Sequence, residues 1–298
     1  MKRLILHLIT FLSAEMKKIS LTLIAFVACG LAANAATDYG IEVNGTKITS
    51  DKLSFSIGSG SVKYNVSTNT LTISNVEIWR AGDAIKIQDN TNRNPDANSQ
   101  KLNIKFTGTN SITSTTGAGI LTEGSHENEV IVITVTGTTT INGLSAAVHI
   151  KEINQQSRNI SFEGSGTLNL NSEQGYGVLA TPTNSTVQVH SGVSFEIANI
   201  NIGGKYGNIY DLPRIYFHEV NDQVELSTTI TLLPTKGADY PHIKGQTINF
   251  GTDVHIELPS DLHDADPVNL EFGNYYDKTF IINDDRDNPT DPGPVHAV

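Results

Sequence analysis

Three stretches of this chain, "KFTGTNSI" at 105–112, "TVTGTTTI" at 134–141 and "EGSGTLNL" at 163–170, stand 29 residues apart. Residues 102–130, 131–159 and 160–188, laid together without a gap, bring Leu102/Ile131/Ile160, Ile104/Ile133/Phe162 and Gly108/Gly137/Gly166 into coincidence. So do Thr109/Thr138/Thr167, Ile112/Ile141/Leu170 and Leu121/Ile150/Leu179. A fixed period of this length constrains the fold more tightly than any local preference. Each unit is too small to bury its own apolar face, so its neighbours along the chain must complete the core.

Within each unit the apolar residues alternate, as in Leu102, Ile104 and Phe106, which is the pattern of strands with one buried face. Each unit holds a first strand up to the Gly-Thr pair, a second through Ile112 or its equivalents, and a third around "GAGILT", "AAVHIK" or "GYGVLA". Three short strands per 29-residue coil, stacked in register about 4.8 Å apart, predict an all-β chain folded as a single-stranded, right-handed parallel β-helix. With 102, 104 and 106 inward, Gly108 falls on the inner side and marks a bend. Thr107 with Thr109, Thr136 with Thr138, and Ser165 with Thr167 then point outward as a two-file ladder of hydroxyls.

The flanks follow the same grammar less regularly. "TLTISNVEIWRAGDAIKIQD" at 70–89 predicts an earlier coil, "TNRNPDANSQ" at 91–100 an inserted loop, and "VQVHSGVSFEI" at 187–197 a continuation with a one-residue slip. Residues 36–69, with Asn44-Gly45 as a hairpin turn, are expected to cap the N-terminal end, which would otherwise recruit foreign strands. The coils proper are expected over 70–205, further irregular coils or a β cap over 206–283, and an acidic, Pro-rich, disordered tail over 284–298. Abundant Thr, Ser, Asn, Ile and Val, and no long window at helical spacing, leave little room for helix.

From Met16 the chain reads "MKKISLTLIAFVACGLAANA": two lysines, a short apolar run, then Ala33 and Ala35 in a cleavage pattern. Residues 1–35 are therefore expected to be a signal peptide, with Met16 the true start and the mature protein secreted or at the cell surface. Cys29, the only cysteine, lies inside it; lipidation there is the alternative, and without it the mature chain has no thiol and no disulfide. Loss of the leader removes four basic residues and one acidic, taking the formal net charge from −11 to −14. Such a chain repels nucleic acid and anionic membrane and needs no membrane insertion. It is expected to be a monomer.

"YGIEVNGTKIT", then "GSVKYNVSTNTLTISNVEI", then coils of "GTNSI" and "GAGILTEG" type resemble secreted bacterial carbohydrate-binding-domain proteins with a right-handed parallel β-helix of the pectin-lyase-like kind. The likeness covers residues 39 to about 200, and its motifs are architectural. It implies a polysaccharide partner, acidic glycans in particular, sometimes with calcium. It supplies no residue set that maps onto a known ligand site.

The residues themselves offer the following candidates. Trp79 and the pair Tyr206 and Tyr210 could stack on sugar rings, and Thr107, Thr109, Thr136, Thr138 and Thr167 could hydrogen-bond along a polymer. Asp261, Asp264 and Asp266 in "DLHDADP" have oxygen ligands at a spacing that can hold calcium, and Asp83, Asp89 and Asp96 form a second acidic group. The bland readings are a packed Trp edge, Thr files that simply suit strands, and solvated acidic turns. Enzymatic roles fit poorly: Asp83 has no second carboxylate beside it, as glycoside hydrolysis requires, and no lysine repeats beside calcium-binding acids as a lyase would need. The expectation is a non-catalytic polysaccharide-binding protein, with calcium the one possible cofactor. Its rivals are a surface adhesin or structural solenoid with a protein partner and, further off, a polysaccharide lyase or hydrolase or an ice-binding protein.

Overall fold

The computed structural model describes residues 35–88, 92, 101–124, 129–153, 158–182, 191–217, 229–237, 239, 241–250, 254–258, 275 and 277–284. The expected leader up to residue 34 with Cys29, and the tail from 285, lie outside the described residues, as do Asp89, Asp96, Asp261, Asp264 and Asp266. Residues 1–37 separate from 38–298 as a unit, and everything below concerns the latter.

The unit opens with antiparallel strands. β1 (Asp38–Val43) and β2 (Thr46–Thr49) are joined by Asn44 and Gly45 at φ 49° and 78°. Both turn residues are left-handed, the geometry that suits a two-residue hairpin and that Asn-Gly adopts most readily. β3 (Ser54–Ile57), β4 (Gly60–Asn65) and β5 (Thr70–Ser74) form an antiparallel meander. From β5 onward the pairing turns parallel, and β6 (Glu77–Arg80) and β7 (Ile85–Gln88) complete a first turn.

Three further turns follow. They are β8 (Lys101–Thr107), β9 (Thr109–Ser114) and β10 (Ala118–Gly124); β11 (Glu129–Val135), β12 (Thr138–Asn142) and β13 (Ala146–Glu152); and the long β14 (Arg158–Ser172) with β15 (Tyr176–Pro182). The result is an all-β solenoid of about four turns of stacked parallel coils. Its ladders run on through β16 (Gly192–Gly204), β17 (Ile209–Phe217), β18 (Thr229–Leu232) and β19 (Ile243–Phe250). β20 (Val254–Leu258) and β21 (Phe280–Asp284) are antiparallel, and β21 also pairs antiparallel with β18. Antiparallel strands thus close both ends: β1 on β7 and β4 on β5 at one, β21 on β18 at the other. Pairing these edges removes the templates on which other chains could add strands.

The solenoid has three sides. The first carries β5, β8, β11 and the leading half of β14; the second carries β6, β9, β12 and the trailing half of β14; the third carries β7, β10, β13 and β15. Inward files run along each. On the first side Leu71, Ile104, Ile133, Phe162 and Phe195 are in register and buried, and the last two rings stack with centroids 5.5 Å apart. On the second, Ile78, Ile112, Ile141, Leu170, Ile202 and Leu232 do the same. Each such side chain contributes roughly 1.5–3 kcal/mol by leaving water. Among the buried polar residues, Asn110 and Thr139 satisfy one another inside the stack: Asn110 Nδ2 donates to Thr139 Oγ1 at 3.2 Å while Asn110 Oδ1 accepts from the Val76 amide.

Three sequence expectations need correction. On the third side Leu121 faces His149, and His149 faces Leu179, whereas Ile150 shares its buried file with Thr122 and Ala180. Ala118 meets Ala146, 28 positions on, and Ala146 meets Tyr176, 30 positions on. The corner before β13 is one residue shorter than its neighbours, and the next corner restores the count, so a gap-free alignment conceals the change. The second correction concerns Gly108, which is exposed at the corner with φ 69°, rather than inward. What the glycine file permits is close stacking: a Cβ on Gly137 would lie 2.1 Å from Gly108 O, and one on Gly166 2.3 Å from Gly137 O. The third is the slip: Ile160 faces Val193, 33 positions on, which exceeds a 29-residue coil by four rather than by one.

Candidate functional site

The second side shows what the repeat builds on the outside. Alternation fixes every other residue of β6, β9, β12, β14, β16 and β18 outward, and the parallel register lines them up. Thr109, Thr138, Thr167, Asn199 and Thr229 form one outward column. Ser111, Thr140, Asn169, Asn201 and Thr231 form the next, headed by Glu77. Thr113, Asn142, Asn171 and Gly203 form a third, and Trp79 stands opposite Thr113 at its head.

Side-chain amides tie these columns together rung to rung. Asn201 Nδ2 donates to Asn169 Oδ1 at 2.7 Å, and Asn169 Nδ2 donates to Thr140 Oγ1 at 3.2 Å. In the adjoining column Asn171 Nδ2 donates to Asn142 Oδ1, and Asn142 Nδ2 to Thr113 Oγ1, both at 3.2 Å. The ladder takes one N–H and one oxygen lone pair of Asn169 and leaves the other of each outside it. Those remaining groups repeat at the rung spacing of about 4.8 Å. Trp79 is 77% exposed, the largest exposed apolar side chain among the described residues, so the packed-edge reading of this residue is not what the fold provides.

The structure therefore brings Trp79, Thr109, Thr138 and Thr167 onto one side, with the Asn columns as members that were missed in the sequence. Thr107 and Thr136 sit at the preceding corner and are spent on the solenoid itself. Thr107 Oγ1 shares a 2.5 Å hydrogen bond with Ser74 Oγ, and Thr136 Oγ1 donates to Phe106 O. Tyr206 and Tyr210 belong elsewhere. With Tyr176 they form an aromatic group, Tyr176 to Tyr210 at 4.5 Å and Tyr176 to Tyr206 at 6.3 Å between centroids. Lys236 lies over Tyr206 and Lys244 over Tyr210, which accepts a 3.0 Å hydrogen bond from Lys244 Nζ.

Charged groups stand on the first side, as with Lys105, Glu163 and Glu196, and on the third. Glu123 accepts from Gln88 and lies within 4 Å of both Lys86 and Lys151. Burial pushes its carboxyl up, yet the hydrogen bonds from Gln88 and Lys86 and the charge of Lys151 outweigh that and hold it below its ordinary value. His149, between Leu121 and Leu179, is pushed down by burial and shares a 2.7 Å hydrogen bond with Thr181 Oγ1. Asp83 is structural: its Oδ1 accepts the Ala118 amide at 2.9 Å, and no Cβ would fit on Gly117 beside it. Among the described residues no three His, Cys, Asp or Glu side chains gather as metal ligands.

Comparison of the chain with protein-family models, with curated proteins and with solved structures finds no match in any of the three. The fold and the geometry of the second side are accordingly the basis for a functional reading, and the resemblance stated above rests on its architectural motifs alone.

Proposed function

We propose that this protein is a secreted or cell-surface, non-catalytic polysaccharide-binding protein whose second side is the binding face. The observation that carries the reading is Trp79, held 77% exposed at the head of in-register columns of hydroxyls and amides. A Trp offers a large apolar face for the C–H side of a sugar ring while its polar edge stays wet. Donors and acceptors repeated every ~4.8 Å along the axis suit a polymer whose own hydroxyls repeat, and a compact ligand would use few of them. Glu77 is the one carboxylate among the described outward residues of this side, so the acid and base roles of hydrolysis do not both find a residue there. Calcium assistance and a preference for acidic glycans rest on the resemblance; among the described residues no three His, Cys, Asp or Glu side chains form a ligand set for the ion.

The test is native affinity electrophoresis of the protein through gels containing neutral or acidic polysaccharides, with calcium and with chelator, followed by analysis of the gels for cleavage products. Retardation without cleavage is the expected outcome. Absence of retardation by every polymer would overturn the reading and direct attention to an adhesin with a protein partner.

A further inference from the structure

We propose that the second side takes an uncharged polysaccharide, laid along the solenoid axis with Trp79 at one end of the track. This rests on the polysaccharide reading and narrows it to one substrate class. The outward columns from β9 to β18 consist of Thr, Ser, Asn and Gly, with no Lys, Arg, Asp or Glu among their described members. The ionisable groups of β6 are Glu77 and Arg80, on either side of Trp79 in the sequence, and the Arg80 guanidinium is paired with Glu42 at 2.7 Å.

A carboxylate or sulfate ester on a glycan needs a cation or a cluster of directed N–H groups, and bidentate Arg or a Lys is the usual solution. The outward columns of the second side present neither cation, and Arg80 at the end of β6 is already held by Glu42 at 2.7 Å. Lysines of the described residues are placed elsewhere: Lys86 and Lys151 beside Glu123, and Lys205, Lys236 and Lys244 around the tyrosines. A polyanion on this side would meet Glu77 and the field of a chain whose formal charge is already −11. Amides and hydroxyls, in contrast, pair equally well as donors or acceptors with sugar hydroxyls and ask for no charge. Because Asn142, Asn169 and Asn171 are fixed by the rung-to-rung ladder, their outer groups are positioned before the polymer arrives, which lowers the ordering cost of binding.

The chain contains one Trp, so its fluorescence reports directly on this site without any substitution. Full-length protein is titrated with cellohexaose, xylohexaose, mannohexaose and laminarihexaose as neutral probes and with hexagalacturonate as the acidic one. At least one neutral hexasaccharide is expected to shift Trp79 emission to the blue and protect it from acrylamide quenching. The response should persist to about 1 M salt, where the Debye length is about 3 Å and ionic attraction is screened. A response to hexagalacturonate alone, abolished by salt, would overturn the neutral assignment and leave the polysaccharide reading standing. Retardation of the protein by a neutral polymer in gels with Trp79 silent would overturn the placement on this side. No response and no retardation would overturn both.

Discussion

At the scale of single residues, the fold depends on which way each side chain points. Ile133 is buried between Ile104 and Phe162, while its neighbour Thr134 faces out between Lys105 and Glu163. Ile133→Asp should therefore abolish soluble folding, since an unpaired carboxylate in the core costs several kcal/mol, whereas Thr134→Asp should stay within about 1 kcal/mol of wild type. Equal tolerance at both positions in denaturant titrations would contradict the inward and outward assignment. Gly137→Ala should cost about 2 kcal/mol or more, because the new methyl meets Gly108 O on the preceding coil, with no flexible side chain there to yield.

His242 is, with His149, one of two histidines among the described residues whose proton affinity burial lowers. It is buried, and its two ring nitrogens have distinct partners: Nδ1 meets Asn208 Nδ2 at 2.8 Å, and Nε2 meets Tyr275 O at 2.9 Å. The Asn208 amide is oriented by Gly204 N on its oxygen and Leu233 O on its nitrogen, so Nδ1 must accept and Nε2–H must donate. A proton on Nδ1 would point at another donor. Burial, ahead of every other influence, holds this imidazole below its ordinary 6.5, with the Tyr275 carbonyl pulling the other way. The unfolded chain then binds more protons below about 6.5, so this contribution to stability is complete above that pH and lost as the pH falls. Urea midpoints should drop between pH 7.5 and 5.5, and His242→Gln should make the drop smaller, leaving the part due to His149. A slope identical in the variant would contradict the assignment. Residue direction on the first two sides was legible in the sequence because alternation states it; the role of His242 was not, because Asn208 and Tyr275 meet it only across coils.

At the scale of elements, strands were easier to read than the corners between them. The Thr of each Gly-Thr pair and the alternating Ile positions fall on strands in lateral register, and a 29-residue period survives there from β8 to β14. Corners add or drop a residue without disturbing the ladder, which is why the Leu121, Ile150 and Leu179 alignment fails while the strands on either side hold. The polar columns show the same limit. Asn142 and Asn171 are aligned in the sequence at the repeat distance, but they stand four residues beyond the Thr of the Gly-Thr pair that marks the repeat. The C-terminal cap was hardest to foresee, since the partner of β18 is β21, about fifty residues on, and antiparallel pairing at that distance has no local signature. Phe280, buried opposite Leu232, anchors it. Phe280→Ala should cost about 3–5 kcal/mol. It should also release the β18 edge, so the variant is expected to associate at high concentration in light scattering; a monomeric variant of unchanged stability would show that β21 does not close this end.

At the scale of the molecule, the repeat makes a structure in one direction and a surface in another. Each coil stabilises only its neighbours, so the inner files hold the stack together while the outer files are left for recognition. The same in-register stacking that buries Ile112, Ile141 and Leu170 sets Thr109, Thr138 and Thr167 in a line on the opposite face of those strands. Trp79 makes little use of the core at 77% exposure, which separates binding from stability at that position. The most direct test compares wild type with Trp79→Ala in gels of the polysaccharide that retards the wild type most, with thermal melting alongside. Stacking on a sugar ring should make the variant at least ~10-fold weaker, a loss of about 1.4 kcal/mol, at an unchanged melting temperature. Full retardation of the variant would contradict the assignment of the second side as the binding face.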